Sequence, residues 1–276
     1  MTDRYAVVGH PISHSQSPRI HAAFAAQTGQ DLSYSALLAP LEGFAQTVDE
    51  FRAAGGKGLN VTVPFKPDAW QYASQHSERA ARAEAVNTLV LERDRVYGDN
   101  TDGPGLLRDL TVNQGCTLQD QRIVVIGAGG AAAGVLAALL ATQPGELVIA
   151  NRTASKALEL AERFSDLGLV SGCGLAELAG DRFDLLINAT AASLDNQCPA
   201  LPVGVIHAGS GAYDLMYAAH PTPFMRWAQA EGAAWTRDGL GMLVEQAAES
   251  FAVWRGVRPE THSVLKQLRS GLVTYQ

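Results

Sequence analysis

Cysteine is scarce in this chain of 276 residues: Cys116, Cys173 and Cys198 are widely spaced and odd in number. That excludes a disulfide framework or a four-cysteine metal site and fits reduced thiols. Basic runs are missing as well. The chain has 21 Lys+Arg against 28 Asp+Glu, for a formal charge of −7, and no segment reaches the density of a phosphate-tracking patch. No nucleic-acid partner is expected, although one or two arginines would suffice for a small anion. Long apolar runs are absent: GVLAALLA falls far short of the roughly 20 residues that span lipid. MTDRYAVVGH also lacks the basic-then-apolar pattern of an export signal. The expectations are no membrane partner and a cytoplasmic location. The 7 histidines show no H-E-x-x-H or similar spacing, so no metal is expected. No tandem repeat or low-complexity tract is present.

What remains is ordinary globular composition, 47% hydrophobic and 18% charged, enough to bury one large core or two modest ones. Short apolar runs alternate with helical patterns: YAVVG then PRIHAAFAAQTG, YSALLA then LEGFAQTVDEFRAAG, and LNVTV then a polar, helix-like stretch. That order implies an α/β fold with parallel pairing. VNTLVLERDRVYGDNTDG interrupts it with two short strands around Glu92 to Arg95, predicting a hairpin and a mixed sheet. A second α/β unit starts after DGPGLLRDLTVNQG, with the domain change near Gly103 to Pro104. Further strands are expected at ELVIA, FDLLINA, AYDLMY and AAWT, and a loop between Ala192 and Ser210, where Pro199 and Pro202 stand. MLVEQAAESFAVWRG reads as an amphipathic helix. PETHSVLKQLRSG reads as a final helix with proline at its start.

QRIVVIGAGGAAAG is an apolar strand, a glycine turn and an alanine-rich helix. Gly127, Gly129 and Gly130, with Ala128 and Ala131, allow a pyrophosphate to approach the backbone N–H groups at the helix start. Ala132 stands where G-x-G-x-x-G ends in glycine, and is small enough for close helix packing. The next strand ends in Asn151-Arg152-Thr153, where an NAD site often carries an acidic residue. A guanidinium, a hydroxyl and Lys156 one turn on favour a 2′-phosphate, hence NADP over NAD. The alternatives are a merely structural glycine turn and a solvated helix start.

GHPISHSQSP and NVTVPFK concentrate small hydroxyls and amides beside one lysine. Any one of Ser13, Ser15 and Ser17 is as well explained as a helix cap. Alternation puts Asn60 and Thr62 on one strand face, with Val61 and Val63 on the other. Together these side chains suit a small polyhydroxylated ligand bearing a carboxylate. Lys66 is the only primary amine among them, and beside a carboxylate it can move a proton or stabilise a developing alkoxide. Asp102 of GDNTDG is the candidate carboxylate and Asn87 of AVNT an amide contributor; Asp102 as a helix cap is the alternative. Hydride transfer couples such a pocket to a nicotinamide without a metal, so a metal-free oxidoreductase is expected, with a cleft between domains bringing the reactants together.

These motifs occur in order, GHPISHSQSP, NVTVPFK, AVNT, GDNTDG, GAGGA, NRT, YDLMY, TPF and DGLGMLVEQAA, and in that set the chain resembles the shikimate dehydrogenase family over essentially its whole length. The resemblance implies a two-domain α/β fold: an N-terminal substrate domain with a mixed sheet and a C-terminal Rossmann-like NADP-binding domain. It implies a discontinuous first domain, 1–103 plus 239–276, around a cofactor domain at 104–238. The implied reaction is the NADPH-dependent, reversible reduction of 3-dehydroshikimate to shikimate in chorismate and aromatic amino-acid biosynthesis. Lys66 and Asp102 would form the catalytic pair, and Ser15 and Ser17 would bind the substrate carboxylate. Asn60, Thr62, Asn87 and Gln246 would contact ring hydroxyls or frame the pocket, and Tyr217 would approach the substrate. Thr190, Leu215 and Gly239 would border the nicotinamide, while Gly127 to Ala131, Asn151, Arg152, Thr153 and Lys156 would hold the rest of NADP(H). Two positions depart from the family pattern: Ala191 stands where a small hydroxyl is common and Leu215 where methionine is common. The alternatives are a quinate/shikimate dehydrogenase of broader substrate or NAD use and a non-catalytic NADP-binding regulatory protein; both monomer and homodimer are compatible with the sequence.

Overall fold

Two runs of alternating strands and helices gather into two units in the computed structural model, which describes residues 2–274. One unit holds the residues up to Gly105 together with Val244–Leu265; the other holds Leu106–Leu243 and the residues from Lys266 on.

The first unit contains β1 (Asp3–Gly9), α1 (Ser17–Thr28), β2 (Leu32–Leu38), α2 (Phe44–Ala53), β3 (Gly56–Val61), α3 (Lys66–Tyr72), β4 (Gln75–His76), α4 (Glu78–Ala83), β5 (Thr88–Leu91) and β6 (Val96–Asp99). The chain then enters α5 (Asp102–Arg108) and a π-helical turn, Asp109–Asn113. The sheet order is β2-β1-β3-β5-β6-β4. β1 lies parallel to β2 and β3, whereas β5 runs antiparallel to both β3 and β6, so the sheet is mixed and the hairpin around Glu92 to Arg95 is present. Val8, Phe44, Leu59, Phe65 and Leu89 fill its core.

The second unit contains β7 (Arg122–Ile126), α6 (Gly130–Leu140), β8 (Glu146–Asn151), α7 (Ala154–Phe164), β9 (Val170–Gly174), β10 (Phe183–Asn188), β11 (Ile206–Asp214), α8 (Pro223–Ala230) and β12 (Trp235–Asp238). All its strand pairs are parallel, in the order β12-β11-β10-β7-β8-β9. Read from the other edge this is the 3-2-1-4-5-6 order of a Rossmann sheet, whose ligand crevice lies where the order reverses, at the carboxyl ends of β7 and β10. The strands read as near-continuous apolar runs because both faces are covered, and α7 buries Ala157, Leu160, Ala161 and Phe164 at helical spacing. α9 (Leu240–Arg255) and α10 (His262–Thr274) complete the chain.

Four expectations are corrected. β3 ends at Val61, so Thr62 lies in a turn closed by Phe65 N–H on the Thr62 carbonyl, and Val63 is exposed rather than packed beside Val61. The segment read as loop up to Ser210 is strand from Ile206, because Ile206 pairs with Phe183 and the Ser210 hydroxyl bridges the Phe183 carbonyl and the His207 N–H. The last helix starts at His262 rather than at Pro259: the Glu260 carboxylate accepts the His262 and Ser263 N–H groups and so fixes the first turn. The tail does not group as one piece. Residues 239–243 and those from Lys266 fall with the second unit, where Arg269 pairs with the buried Asp238.

α5 and α9 cross at Gly105, where an added Cβ would lie 2.6 Å from the Gln246 Cβ, so only glycine permits the approach. Further along α9, the fully buried Phe251 packs edge-on against Phe24, ring centroids 5.8 Å apart. Truncation there leaves a cavity that neither helix can collapse to fill. Phe251→Ala should lower the unfolding free energy of the first unit by about 3–5 kcal/mol in equilibrium urea denaturation; a loss under about 1 kcal/mol would contradict this packing.

Candidate active site

The turn after β3 presents the lysine. Thr62 N–H donates to the Val8 carbonyl, the fully buried Phe65 anchors the turn, and Lys66 opens α3 with proline next to it. Its ammonium forms an ion pair with Asp102 Oδ2, the side chains retaining only 14% and 7% exposure. Asp102 opens α5, but it is not the cap: the Asn100 side-chain oxygen accepts the Asp102 N–H at 3.1 Å. The Asp102 carboxylate is thereby left to Lys66 on one oxygen and to Asn87 Nδ2, at 2.9 Å, on the other. Asn100 is itself tied to the Ala85 carbonyl, and its N–H donates to Asp99. Burial pushes the Asp99 carboxyl up, but hydrogen bonds from Arg79 and Ser77 outweigh this and hold it below its ordinary value.

Behind the pair lies a closed polar network. Asn87 Oδ1 accepts from Thr101 N–H at 2.8 Å and from the Thr88 hydroxyl at 2.9 Å. Gln246, on α9, brings its Oε1 within 3.3 Å of both Asn87 Nδ2 and Thr101 Oγ1. Asn60 Nδ2 reaches Ser250 Oγ at 2.8 Å and Thr88 Oγ1 at 3.2 Å, and its Oδ1 accepts from the Tyr34 phenol at 2.7 Å. Ser17, at the start of α1, hydrogen-bonds that phenol in turn, and burial raises the Tyr34 phenol well above its ordinary value despite this bond. Ser15 Oγ accepts the Ser17 N–H at 3.3 Å.

The structure thus brings Lys66, Asp102, Asn87, Gln246, Asn60 and Ser17 into one connected set. Thr62 stands beside it on the Lys66 turn, its methyl against Gly9. Tyr217 belongs to the second unit, in the loop after β11. Sequence reading missed Tyr34, Thr88, Asn100, Thr101 and Ser250. Only the buried, polar character of GDNTDG hinted at two of them. A groove of about 510 Å³ along β2 and α2 is lined by none of these residues.

His21 lies beneath the network, fully buried and stacked on Tyr34 with centroids 4.1 Å apart and planes 3° from parallel. Neither ring nitrogen has a partner of good geometry among the described residues. Burial pushes the imidazole down to about 3, against a weaker upward pull from the Asn60 amide.

In the second unit the turn after β7 has Gly127 at φ +113°, a backbone conformation that suits glycine, with an added Cβ only 3.2 Å from the Ala189 backbone. Ala128 follows, and Gly129 is the α6 N-cap without a side-chain cap; above Gly129 an added Cβ would meet nothing within 4 Å. The N–H groups of Gly130 and Ala131 therefore begin α6 beside open space, the arrangement a pyrophosphate needs. At the end of β8, Asn151 Nδ2 donates to the Thr153 carbonyl at 3.0 Å. Arg152, Thr153 and Lys156 are exposed, Thr153 caps α7 with its backbone only, and neither cation is paired with a carboxylate among the described residues. This donor set fits a dinucleotide carrying a 2′-phosphate.

Thr190, Leu215 and Gly239 also converge. The Thr190 hydroxyl donates to Asn188 Oδ1 at 2.7 Å, Leu215 N–H donates to the Asn188 carbonyl at 2.9 Å, and Gly239 lies so near the Leu215 carbonyl that a Cβ would be 2.1 Å away. The hub, missed in the sequence, is Asp214. It accepts from Asn188, Ser193, Thr222 and the Met216 N–H, and burial pushes its carboxyl up against those four donors. Asn188 and Asp214 both end apolar strands, the same signal that drew attention to Asn60. Among the described residues no three His, Cys, Asp or Glu side chains gather as a metal site.

Three family models match the chain: Shikimate dehydrogenase substrate binding domain over residues 7–89, Shikimate / quinate 5-dehydrogenase over 109–195, and Shikimate 5'-dehydrogenase C-terminal domain over 239–269. The shikimate dehydrogenase (NADP(+)) of Alkalilimnicola ehrlichii is 57% identical over 269 residues, 98% of this chain and 99% of its own. A crystal structure of an Ael1 enzyme from Pseudomonas putida matches with a TM-score of 0.89 at 47% identity, covering 97% of this chain and 98% of that one. The shikimate 5-dehydrogenase of Thermus thermophilus, solved in complex with NADP(H) and shikimate, matches at 0.86 with 35% identity, covering 98% and 100%.

The buried His21 generates a pH dependence. The unfolded chain takes up its proton below about pH 6.5, whereas the folded chain does so only near 3. Its contribution is therefore constant above pH 6.5 and declines as pH falls, by at most about 1.4 kcal/mol per pH unit. Urea unfolding between pH 6.5 and 4.5 should show a steeper loss of stability in the native chain than in His21→Phe; equal slopes would show that His21 does not stay neutral.

Proposed function

The chain belongs to the shikimate dehydrogenase family, and on that premise we propose how its residues carry out the NADPH-dependent, reversible reduction of 3-dehydroshikimate to shikimate. The observation that carries the proposal is the Lys66–Asp102 pair, shielded from water and held from behind by Asn87. The first unit supplies the substrate's ligands and the proton, and the second the cofactor's ligands. NADPH, when bound, supplies the hydride that a carbonyl needs to become an alcohol.

Lys66 as ammonium donates a proton to the C3 oxygen as charge develops there; in the oxidative direction the neutral amine takes it back. Asp102 orients that amine through Oδ2, and its remaining lone pairs accept a substrate hydroxyl. Ser15 and Ser17 donate to the substrate carboxylate, the Ser17 hydrogen turning there from the Tyr34 phenol oxygen. Thr62 and Gln246 meet ring hydroxyls. Asn60 has both amide atoms engaged inside the protein, which favours a framing role over direct contact.

For the cofactor, the Gly127 to Ala131 turn receives the pyrophosphate, Asn151, Arg152, Thr153 and Lys156 the 2′-phosphate, and Thr190, Leu215 and Gly239 border the nicotinamide. The unpaired, exposed Arg152 supports NADP over NAD. A cytoplasmic setting is proposed from three free cysteines and from the lack, among the described residues, of any helix long and apolar enough to cross a membrane.

Lys66→Ala should lower kcat for shikimate oxidation by about 10²–10⁴-fold, with little change in the KM for shikimate; unchanged turnover would remove Lys66 from the chemistry. Arg152→Ala should raise the KM for NADPH by about 10- to 100-fold, the loss of a charged hydrogen bond of roughly 1.5–3 kcal/mol, and leave that for NADH nearly unchanged. Equal effects on the two cofactors would reject the phosphate assignment.

A further inference from the structure

We infer that Ser250, on the α9 turn after Gln246, is a positioning residue for this reaction: its hydroxyl fixes the hydrogen-bond sense of the buried network that aims Asn87 at Asp102. The inference rests on the reading of Lys66 and Asp102 as the reacting pair.

The fully buried Ser250 Oγ has four polar neighbours: Asn60 Nδ2 at 2.8 Å, Thr88 Oγ1 at 2.9 Å, Thr101 Oγ1 at 3.1 Å and the Gln246 carbonyl at 3.0 Å. The last is the local bond that a serine often makes to the preceding helical turn, and a merely structural serine would make it too. The other three neighbours lie outside α9, on β3, on β5 and in the segment before α5. A helix-bound hydroxyl that touches three separate pieces of the first unit sets their relative register.

The protons can be assigned. Asn87 Oδ1 faces the Thr101 N–H, so its Nδ2 faces Asp102; a flipped amide would set oxygen against carboxylate. Thr88 donates to Asn87 Oδ1 and therefore has no hydrogen left for Ser250. Thr101 Oγ1 accepts an Asn87 Nδ2 proton at 3.0 Å and turns its own hydrogen to Ser250. Ser250 then accepts from Asn60 and Thr101 and shares its one hydrogen between Thr88 Oγ1 and the Gln246 carbonyl, which uses all of its capacity.

Without this oxygen, Asn60 loses its shortest acceptor and the Thr101 hydrogen turns to Asn87 Oδ1 at 3.1 Å or Gln246 Oε1 at 3.3 Å. On Asn87 it competes with Thr88 and the Thr101 N–H, and three donors crowding one oxygen shift the amide that steadies Asp102. Ser15, Thr62 and the cofactor ligands share no bond with Ser250, and Gln246 meets it only at the backbone carbonyl, so the effect falls on turnover more than on binding.

The test is steady-state shikimate oxidation by Ser250→Ala, Thr88→Val and the double variant. Ser250→Ala should lower kcat about 3- to 10-fold, with KM for shikimate and for NADP+ within twofold of the native chain. Thr88→Val should act similarly, and the double variant should be no slower than the slower single one, because both act through Asn87. A Ser250→Ala kcat within twofold of native, a loss that adds to that of Thr88→Val, or an equal rise in the KM for NADP+ would each overturn the assignment. Lys66→Ala run in parallel separates this from its premise. Residual native-like turnover there sinks the reacting pair, whereas an inactive Lys66→Ala beside an unaffected Ser250→Ala sinks only the positioning role.

Discussion

An ammonium and a carboxylate removed from most of the surrounding water are stable only while each keeps its hydrogen bonds. Around Lys66 and Asp102 that requirement propagates outward. Asp102 needs Asn87, Asn87 needs Thr88 and Thr101, and these need Ser250 and Asn60. Apart from Ser250, which projects from within α9, the members sit at or beside the ends of strands or at the start of a helix, where a polar side chain can be buried without breaking the sheet. The site is consequently rigid before any ligand arrives, since buried donors and acceptors that are fully satisfied have few alternative arrangements.

The second unit meets a different constraint. Its proposed ligand surface consists of open groups: helix-start N–H groups, a threonine hydroxyl that makes no cap bond and two cations without carboxylate partners among the described residues. A large, highly charged cofactor brings its own acceptors, so donors left open to solvent cost little beforehand. A small, neutral-bodied substrate with one carboxylate cannot organise a pocket in that way, which is why the first unit arrives already wired.

The sequence made the glycine turn, the lysine and the aspartate legible because each stands in a short local pattern: an apolar run followed by glycines, or polar residues closing an apolar strand. The 3-2-1-4-5-6 sheet was legible in outline from the alternation of runs. Strand Val170–Gly174 was not, since VSGCG lacks an apolar stripe and becomes a strand only by pairing with β8. Asn100 as the acceptor of the Asp102 N–H and Ser250 as a junction were also hidden. The role of Ser250 depends on partners 149 to 190 residues away and that of Asn100 on the Ala85 carbonyl 15 residues back. In isolation each is an ordinary polar residue of a loop or a helix. Asp214 was within reach: like Asn60 it ends an apolar strand, and the same reasoning applied to AYDLMY would have found it.

The crossing at Gly105 has a consequence for how the protein is made. The first unit's chain leaves at that glycine and meets itself again at Gln246, after the whole of Leu106–Leu243. On a ribosome, Asn60, Thr88 and Thr101 emerge long before α9 does, and until then the buried polar side chains of the nascent unit lack the helix that satisfies them. The earlier-made part must wait, partly hydrated, until the stretch up to Leu265 has emerged. The second unit, which takes in the residues from Lys266 on, closes later still, so translation order leaves neither unit complete until the chain is nearly finished.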